Sequence, residues 1–274
     1  MYIVANEVAK AGLAFCCLQE VRHLNTGKKI IRLNDGREYI FTWCGMKKRR
    51  DAGVGFLIKK DPNIVISEPD ICTPRVMALN IIIKGFKLRV INAYSPTNID
   101  GTQHQKDDFY KTLEKACVKT EKHFKIVIAG DFNAKTSIVL KKCFFDETTV
   151  IEDNECNENG DRLKTFCRSK KLRLLQTYFE HPLVNQYTWY SNDKITKRVL
   201  DYVLTEKYVQ KYATNYIVDP QIDFESDNRQ LITDFSTPTR EGKPLQKASS
   251  KGERQIVKKA GNSKYLCRSS SWRI

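Results

Sequence analysis

The sequence predicts an α/β fold in which two β-sheets pack face to face with helices on the outside. Two observations favour this fold: strand and helix patterns alternate along the body of the chain, and two stretches carry consecutive hairpin patterns. With 274 residues the chain is long enough for one large domain with a complete core. We expect that domain to span residues 1–235. A basic, disordered tail is expected over residues 236–274, which are rich in Lys, Ser, Gly and Gln.

The elements follow from local patterns taken in chain order. Apolar residues at a helical spacing predict a helix over residues 1–13, and Gly12 ends it. Further helices are predicted over residues 106–120 and from a cap at Asp161 through Cys167. Runs of β-branched, aromatic and other apolar residues predict strands at residues 15–18, 39–43, 54–58, 76–83, 87–92, 126–130, 174–177, 187–189, 197–204, 215–218 and 230–235.

The charge of the chain is unusual. The formal net charge is +15 at pH 7, and residues 236–274 hold 10 Lys and Arg against 2 Glu, a net +8. The body also carries the basic cluster Lys47–Arg50. Such a balance suits a polyanionic partner such as nucleic acid, although a run of basic residues is also a common solvated surface.

The nine cysteines are scattered without any Cys-x-x-Cys pair, which matches neither a zinc site nor a disulfide framework. We therefore expect reduced thiols and a nuclear or cytoplasmic location. The sequence has no apolar run of about 18 residues and no signal-peptide pattern at its start. These features predict a protein that is neither secreted nor embedded in a membrane.

The segment Lys125–Ala134 organises the functional prediction. A buried strand ends there in Asp131, and Asn133 lies two residues further on the same side. A carboxylate beside a carboxamide can hold a water molecule or a phosphate oxygen. Asp and Asn also commonly close strands by bonding the next backbone amides, so this segment alone leaves both interpretations open.

Other predicted strands end in polar residues in the same way. The residues concerned are Glu20, Tyr94 with Asn92 on the same face, Asp201 and Asp227. If these ends converge with Asp131, one cleft holds four carboxylates, which repel one another unless a cation neutralises them. Oxygen ligands favour Mg²⁺ or Mn²⁺ over zinc. Such a site with a basic rim suits phosphodiester chemistry.

Seven motifs then carry a family resemblance: Leu18-Gln-Glu-Val-Arg22, Asn92-Ala-Tyr-Ser-Pro-Thr97, Gly130-Asp-Phe-Asn-Ala134, Asn159-Gly-Asp-Arg-Leu163, Tyr187-Thr-Trp189, Leu200-Asp-Tyr-Val203 and Ser226-Asp-Asn228. The set resembles the endonuclease/exonuclease/phosphatase superfamily. Within it, the sequence is most similar to endonuclease domains of non-LTR retrotransposons and to craniofacial-development-protein-2-like proteins. The resemblance covers about residues 1–235 and implies a four-layer α/β sandwich, two mixed β-sheets flanked by helices.

The resemblance also implies roles for the residues that match. Glu20 resembles the metal-binding glutamate, and Asp227 resembles a second acid near the metal. Asp131 resembles the base, or the orienting acid, for the attacking water, and Asn133 resembles the amide that holds the phosphate or that water. Tyr94 resembles the phenol that contacts the scissile phosphate.

Further matches lie at the edges of the expected site. Asp201 resembles the acid that orients a catalytic histidine, but Asn228 stands where the motif has that histidine. Losing a charged donor to the transition state typically costs on the order of 10²- to 10³-fold in rate. The resemblance assigns substrate contacts to Arg22, Asn92 and Thr188. It also implies that the first strand is missing, because the chain opens on the helix that normally follows it.

The sequence therefore supports a divalent-metal-dependent phosphodiesterase of the endonuclease type, acting on DNA as a monomer, retrotransposon-derived and weakened by Asn228. The alternative is a nucleic-acid-binding relic that keeps the fold and the charge without turnover. A third hypothesis keeps the chemistry and changes the substrate to a phospholipid or inositol phosphate head group, which the basic composition disfavours.

Overall fold

The computed structural model describes residues 1–99, 101–118, 123–136, 156–179, 181, 186–219, 228–236 and 271–273. Within these ranges the helices are α1 (Tyr2–Lys10), α2 (Gln103–Ala116), α3 (Glu158–Lys170) and α4 (Lys207–Gln210). The strands are β1 (Phe15–Gln19), β2 (Thr26–Arg32), β3 (Glu38–Cys44), β4 (Val54–Lys59), β5 (Ile64–Ile66), β6 (Ile71–Cys72), β7 (Val76–Ile83), β8 (Phe86–Tyr94), β9 (Lys125–Asp131), β10 (Leu172–Leu174), β11 (Trp189–Tyr190), β12 (Lys197–Arg198), β13 (Asp201–Glu206), β14 (Ala213–Asp219), β15 (Gln230–Ser236) and β16 (Ser271–Arg273).

Two sheets form the centre of the molecule. Sheet I has the order β1-β4-β3-β2 and is antiparallel throughout. Sheet II has the order β10-β13-β9-β8-β7-β5, with β6 also paired to β7, and it is mixed because β8 and β9 run parallel. A third sheet has the order β14-β15-β16, and β11 pairs with β12 in a short hairpin.

The core shows that the layers are stacked as helix, sheet, sheet and helix. One apolar cluster lies between the sheets and joins Phe56 of sheet I to Val90 of sheet II. A second cluster packs α2, through Leu113, and α3, through Leu163, against the outer face of sheet II. A third packs α1 on the outer face of sheet I. The predicted four-layer α/β sandwich is therefore confirmed.

The third sheet lies in the same layer as sheet I. In β15, Phe235 belongs to the cluster between the sheets, whereas Ile232 belongs to the cluster beneath α1. A strand that contacts both clusters occupies the plane of sheet I. Among the described strands, however, β1 pairs only with β4, so the two sheets are separate.

Several predicted boundaries were wrong for local reasons. The side chain of Asn157 caps α3 by accepting from the amide of Gly160, so Asp161 lies inside the first turn instead of capping it. The predicted strand over residues 174–177 is mostly a 3₁₀-helix, Leu175–Tyr178. The predicted strand over residues 197–204 is split between β12 and β13. Strand β2 was missed because three of its seven residues are charged and most of its side chains are exposed, so it lacks an apolar alternation.

The basic tail lies almost entirely outside the described residues, so its predicted disorder stays a prediction. Its described part, β16, pairs antiparallel with the end of β15, and the Cα partner of Trp272 is Phe235. No helix in the described ranges is both long and apolar enough to cross a lipid bilayer.

Gly130 allows β9 to pass close to β8 one residue before the end of the strand. Its φ of +155° is one that L side chains rarely adopt, and a Cβ added there would lie 1.9 Å from the carbonyl oxygen of Ala93. Because Ala93 is also its neighbour in the parallel pairing, the clash cannot be relieved without moving one strand. The glycine therefore sets the position of Asp131.

We predict that Gly130→Ala lowers the free energy of unfolding by about 3 kcal/mol, through backbone strain and the clash with Ala93. Urea denaturation followed by circular dichroism measures the change. Gly36→Ala is the matched control, since Gly36 also has a positive φ (+84°) but an added Cβ there has no neighbour within 4 Å. We expect the control to lose only about 1 kcal/mol. Equal losses would contradict the account of the close approach.

Candidate active site

Three predicted site residues form a row across adjacent strands of sheet II. Tyr94 ends β8 and is the Cα partner of Asp131, the last residue of β9. Asp131 is in turn the Cα partner of Asp201, the first residue of β13. Directly opposed residues project on the same face of a sheet, so the phenol and the two carboxylates share one surface.

Strand alternation directs this row toward sheet I. In β9, Val127 and Ala129 belong to the cluster between the sheets, whereas Ile126 and Ile128 face the helices. Asp131 has the same parity as Val127 and Ala129. The row therefore lies where the apolar layer between the two sheets ends, at one edge of the sandwich.

The two aspartates of the row are both strongly buried, Asp131 with 6% and Asp201 with 9% of its surface exposed. Opposed carboxylates repel, and burial makes each charge more costly. The backbone amide of Asn133 donates to Oδ1 of Asp131 at 2.7 Å, which offsets part of that cost.

Glu20 joins the row from sheet I, one residue after the end of β1. The Tyr94 hydroxyl donates to Oε1 of Glu20 at 2.7 Å, and Arg22 donates to Oε2 at 2.7 Å. Burial alone would raise the pKa of Glu20, but these hydrogen bonds and the charges of Arg22 and Arg75 hold it below its usual value. Glu20 is therefore a carboxylate at neutral pH.

Tyr94 is held in place on its ring and on its hydroxyl. The guanidinium of Arg75 lies 4.4 Å from the ring centroid, and the backbone amide of Tyr94 donates to the carbonyl of Arg75. Burial and the hydrogen bond to Glu20 raise the pKa of Tyr94 well above its usual value. The phenol thus stays protonated and acts as a donor to Glu20.

Asn92 connects the two sheets behind this site. It is fully buried, and its side-chain nitrogen donates to the carbonyls of Leu18 at 2.9 Å and Gly55 at 2.7 Å. Its side-chain oxygen accepts from Gln19 at 2.6 Å. Asn92 therefore fixes the end of β1 against sheet II, and so positions Glu20. Its predicted direct contact with a substrate stays a prediction.

Asn133 is the centre of a set of loop contacts. Its side-chain nitrogen donates to the Ser95 carbonyl at 3.0 Å, and its backbone has a positive φ of 47°. Its own carbonyl accepts from the side chains of Asn98 at 2.8 Å and Asn157 at 3.0 Å. Asn159, fully buried, donates to the Pro96 carbonyl at 2.8 Å and so ties α3 to the same loops.

Thr188 holds the start of β13 in place. It is fully buried, and its hydroxyl accepts the backbone amides of Leu200 at 3.0 Å and Asp201 at 3.2 Å. Its carbonyl accepts the amide of Arg229 at 2.7 Å, next to Asn228. Thr188 thus positions Asp201 and the segment of Asn228 together, and its predicted contact with a substrate is untested.

A cleft of about 480 Å³ opens at this edge of the sandwich. Among the predicted site residues it is lined by Glu20, Arg22, Asp131, Asp201 and Asn228. The remaining predicted residues in the described ranges, Tyr94, Asn92, Asn133 and Thr188, lie behind or beside this lining and contact it through the hydrogen bonds given above. Asp227 lies outside the described residues, so its predicted role as a metal ligand stays a prediction.

The donor set limits what kind of cation would fit. Within the described residues no group of three or more His, Cys, Asp and Glu side chains is close enough to hold a metal ion. A three-ligand protein cage is therefore absent from this part of the chain. Mg²⁺ is commonly held by one or two carboxylates, several waters and substrate phosphate oxygens. Glu20, ionised and about 44% exposed in its side chain, fits that mode of binding.

Sequence reasoning missed several residues that shape the site. Arg75 packs on Tyr94, and Gln176 bridges the Asp201 carbonyl and the amide of Val203. Arg229 stacks 3.9 Å from the ring centroid of Tyr190, beside the cleft. A single Gln or Arg carries no periodic signal, and these contacts depend on pairing between distant segments that local patterns do not contain.

We predict that Asn92→Leu lowers the free energy of unfolding by about 3 kcal/mol, because the carbonyls of Leu18 and Gly55 lose their buried donor. Urea denaturation gives the value. Asn63→Ala is the control: Asn63 is an exposed turn residue whose side chain donates only to Asp61 in the described structure, so we expect a loss of about 0.5 kcal/mol. A loss for Asn92→Leu as small as the control would show that Asn92 does not join the sheets.

Comparison with known proteins supports the family resemblance. A family model described as "Endonuclease-reverse transcriptase" matches residues 88–232. Craniofacial development protein 2 of Bos taurus is 27% identical over 235 residues, which are 85% of this chain and 38% of that protein. The chain thus spans about two fifths of the length of the curated relatives it matches.

Solved structures share the fold. The endonuclease domain of TRAS1, a telomere-specific non-LTR retrotransposon, aligns with a TM-score of 0.58 and 12% identity, covering 84% of this chain and 90% of that domain. The 3′ phosphatase NExo from Neisseria, bound to a product DNA hairpin, aligns with a TM-score of 0.57 and 19% identity, covering 85% of this chain and 92% of that one. At these identities the likeness concerns the fold.

Proposed function

Because the chain belongs to the Endonuclease-reverse transcriptase family, we propose that it is a divalent-metal-dependent phosphodiesterase of the endonuclease type that cleaves DNA. The observation that carries the proposal is the convergence of Glu20 with the row of Tyr94, Asp131 and Asp201 at one cleft. Two acids from neighbouring strands, a phenol from a third strand and an acid that follows β1 meet there, although they are distant in sequence.

Asp131 is the residue that positions the attacking water. It is buried, it lines the cleft, and its Oδ1 already accepts one backbone amide, which fixes the orientation of the carboxylate. A carboxylate held in this way accepts a hydrogen bond from a water and orients it toward phosphorus. Tyr94 acts on Glu20: its hydroxyl donates to that carboxylate and helps to keep it ionised.

Glu20 would hold the divalent cation, Mg²⁺ or Mn²⁺, with Asp227 as the second acid that the family resemblance implies. When bound, such a cation neutralises phosphate charge and lowers the pKa of a water. Arg22, paired with Glu20 and 67% exposed, is the side chain that would move its charge to a phosphate oxygen. The Glu20 side chain would then pair with the cation instead of with Arg22.

Asn228 sets the expected rate. It lines the cleft beside Asp201, in the position where the family motif has a histidine. An asparagine donates a neutral hydrogen bond and carries neither a proton nor a charge, so the developing charge on the phosphate is less well stabilised. We therefore propose a weakened, retrotransposon-derived activity.

DNA is the proposed substrate because the net charge of the chain and the structural neighbours both favour it. The net charge of +15 favours a polyanion. Among the structural neighbours, NExo was solved with a DNA hairpin and TRAS1 is an endonuclease domain of a retrotransposon. We propose that the chain acts as a monomer, in the nucleus where DNA is available.

A second candidate is a nucleic-acid-binding protein without turnover. The contacts of Glu20 favour it, since this carboxylate already bonds both Tyr94 and Arg22, and the cation must compete with Arg22. Asn228 favours it as well. Salt-sensitive DNA binding without Mg²⁺-dependent cleavage would select this candidate over the enzyme.

Nicking of supercoiled plasmid DNA tests the proposal. We expect nicking with Mg²⁺ that EDTA abolishes, a loss of about 10²-fold or more in Asp131→Asn, and a gain of about 10²-fold in Asn228→His. Glu20→Gln should raise the Mg²⁺ concentration needed for half-maximal rate, because it removes the proposed ligand charge.

The control is Asp35→Asn, which removes one carboxylate from an exposed turn of sheet I where Asp35 pairs with Arg37. Its rate should equal that of the wild type. Circular dichroism spectra establish that each variant is folded. Equal background nicking in the wild type, Asp131→Asn and Asn228→His would contradict the proposed activity.

A further inference from the structure

Two cysteines away from the candidate site lie at the interface between the two sheets. Cys44 is the last residue of β3 in sheet I, is 3% exposed and belongs to the apolar cluster between the sheets. Cys72 is the last residue of β6, which pairs with β7 at the edge of sheet II, and its side chain is exposed. One thiol of the two is therefore accessible to solvent and the other is not.

Strand alternation directs Cys72 toward sheet I. The preceding residue, Ile71, packs against the cluster beneath α2 and α3, and its Cα partner Ala78 belongs to that cluster. Cys72 then points to the opposite face of the sheet. Its own Cα partner, Met77, belongs to the cluster between the sheets, which also contains Cys44. The strand pairing thus aims both thiols at the same interface.

The two thiols share a hydrogen bond, and it makes them chemically unequal. This bond lowers the pKa of Cys72 below its usual value, although burial acts in the opposite direction. The same bond, together with burial, raises the pKa of Cys44. Cys72 is therefore the thiol that ionises first, and Cys44 donates its S–H to that sulfur. An accessible thiolate beside a protected thiol is typical of cysteines that undergo reversible oxidation.

We propose that Cys72 is a modification site that reacts with small disulfides of the glutathione type, and that Cys44 displaces the added group to form a Cys44–Cys72 disulfide between the sheets. The structure holds both thiols in the free form, which is the reduced state of this pair. The proposal is independent of the proposed nuclease function, because the described lining of the cleft contains neither cysteine.

The reaction has two exchange steps. In the first, the thiolate of Cys72 attacks one sulfur of oxidised glutathione, the S–S bond of glutathione breaks, and one glutathione thiolate leaves. In the second, the thiolate of Cys44 attacks the Cys72 sulfur of the mixed disulfide and displaces the second glutathione thiolate. The two protons lost by the cysteines are taken up by the two glutathione thiolates. The two cysteine sulfurs are oxidised by two electrons, and one glutathione disulfide is reduced.

The proposed disulfide lies next to the segment that carries the basic cluster Lys47–Arg50. This segment follows Cys44 directly and is bonded to Asn25, in the loop after β1. The amide of Gly45 donates to the Asn25 carbonyl at 2.7 Å. The amide of Asn25 donates to the Met46 carbonyl at 3.0 Å. Oxidation would therefore connect these two loops of sheet I covalently to sheet II.

Peptide mapping of the full chain tests the proposal. The reduced protein is incubated with oxidised glutathione at neutral pH, free thiols are blocked with N-ethylmaleimide, and the digested chain is analysed by mass spectrometry. We expect a Cys44–Cys72 linkage in the wild type that dithiothreitol removes. Cys44→Ala should carry at least about 10-fold more glutathione on Cys72 than the wild type, because nothing displaces it. Cys72→Ala should leave the buried Cys44 unmodified.

Cys117 and Cys167 are the matched control, a second pair of cysteines in one apolar cluster of the described structure. Burial raises the pKa of each to about 12, so we expect neither to react. Cys117→Ala should form the Cys44–Cys72 linkage to the same extent as the wild type. Circular dichroism establishes that each variant is folded.

The wild-type map alone can overturn the proposal, even where a variant does not fold. An unmodified Cys72, a stable glutathione adduct on Cys72 without the linkage to Cys44, or a linkage of Cys72 to a different cysteine would each do so. Equal amounts of glutathione on Cys72 in the wild type and in folded Cys44→Ala would show that Cys44 does not displace the added group, and this also contradicts the proposal.

Discussion

The register between β8, β9 and β13 is the constraint on which the candidate site depends. It places Tyr94, Asp131 and Asp201 in one row, and the alternation of side chains turns that row toward sheet I. A shift of one residue in any of these strands would turn its polar residue toward the helices. Gly130 helps to fix the register, because only a residue without a side chain allows the close contact with β8 just before Asp131.

Sheet I contributes the remaining acid, Glu20, and a buried set of hydrogen bonds positions it. The side chain of Asn92, in β8 of sheet II, donates to one carbonyl of β1 and one carbonyl of β4. Its oxygen accepts a hydrogen bond from Gln19 of sheet I. Glu20 follows at once in the chain and reaches Tyr94. The site is therefore a junction between two sheets, and its electrostatics depend on packing that lies well behind the cleft.

The sequence predicted the layers and the polar strand ends well, because both follow from local periodicity. Asp131 and Tyr94 were identified where a strand pattern runs out, and they lie side by side in the structure. The register between strands could not be predicted, because it depends on residues far apart in the chain. The predicted substrate contacts of Asn92 and Thr188 stay predictions, and the structure adds that each is fully buried and bonded to backbone groups. The apolar pair Val90 and Ile91 directly before Asn92 is the signal that could have indicated its burial.

The central claim is that Glu20 binds a divalent cation at the cleft that Asp131 and Asp201 also line. The most direct test is a crystal structure of the full chain soaked in Mn²⁺, with anomalous scattering used to locate the ion. The account predicts an anomalous peak in the cleft beside the carboxylate of Glu20, with Arg22 displaced from it. An ion bound elsewhere, or a cleft without a peak in which Glu20 still pairs with Arg22, would contradict it.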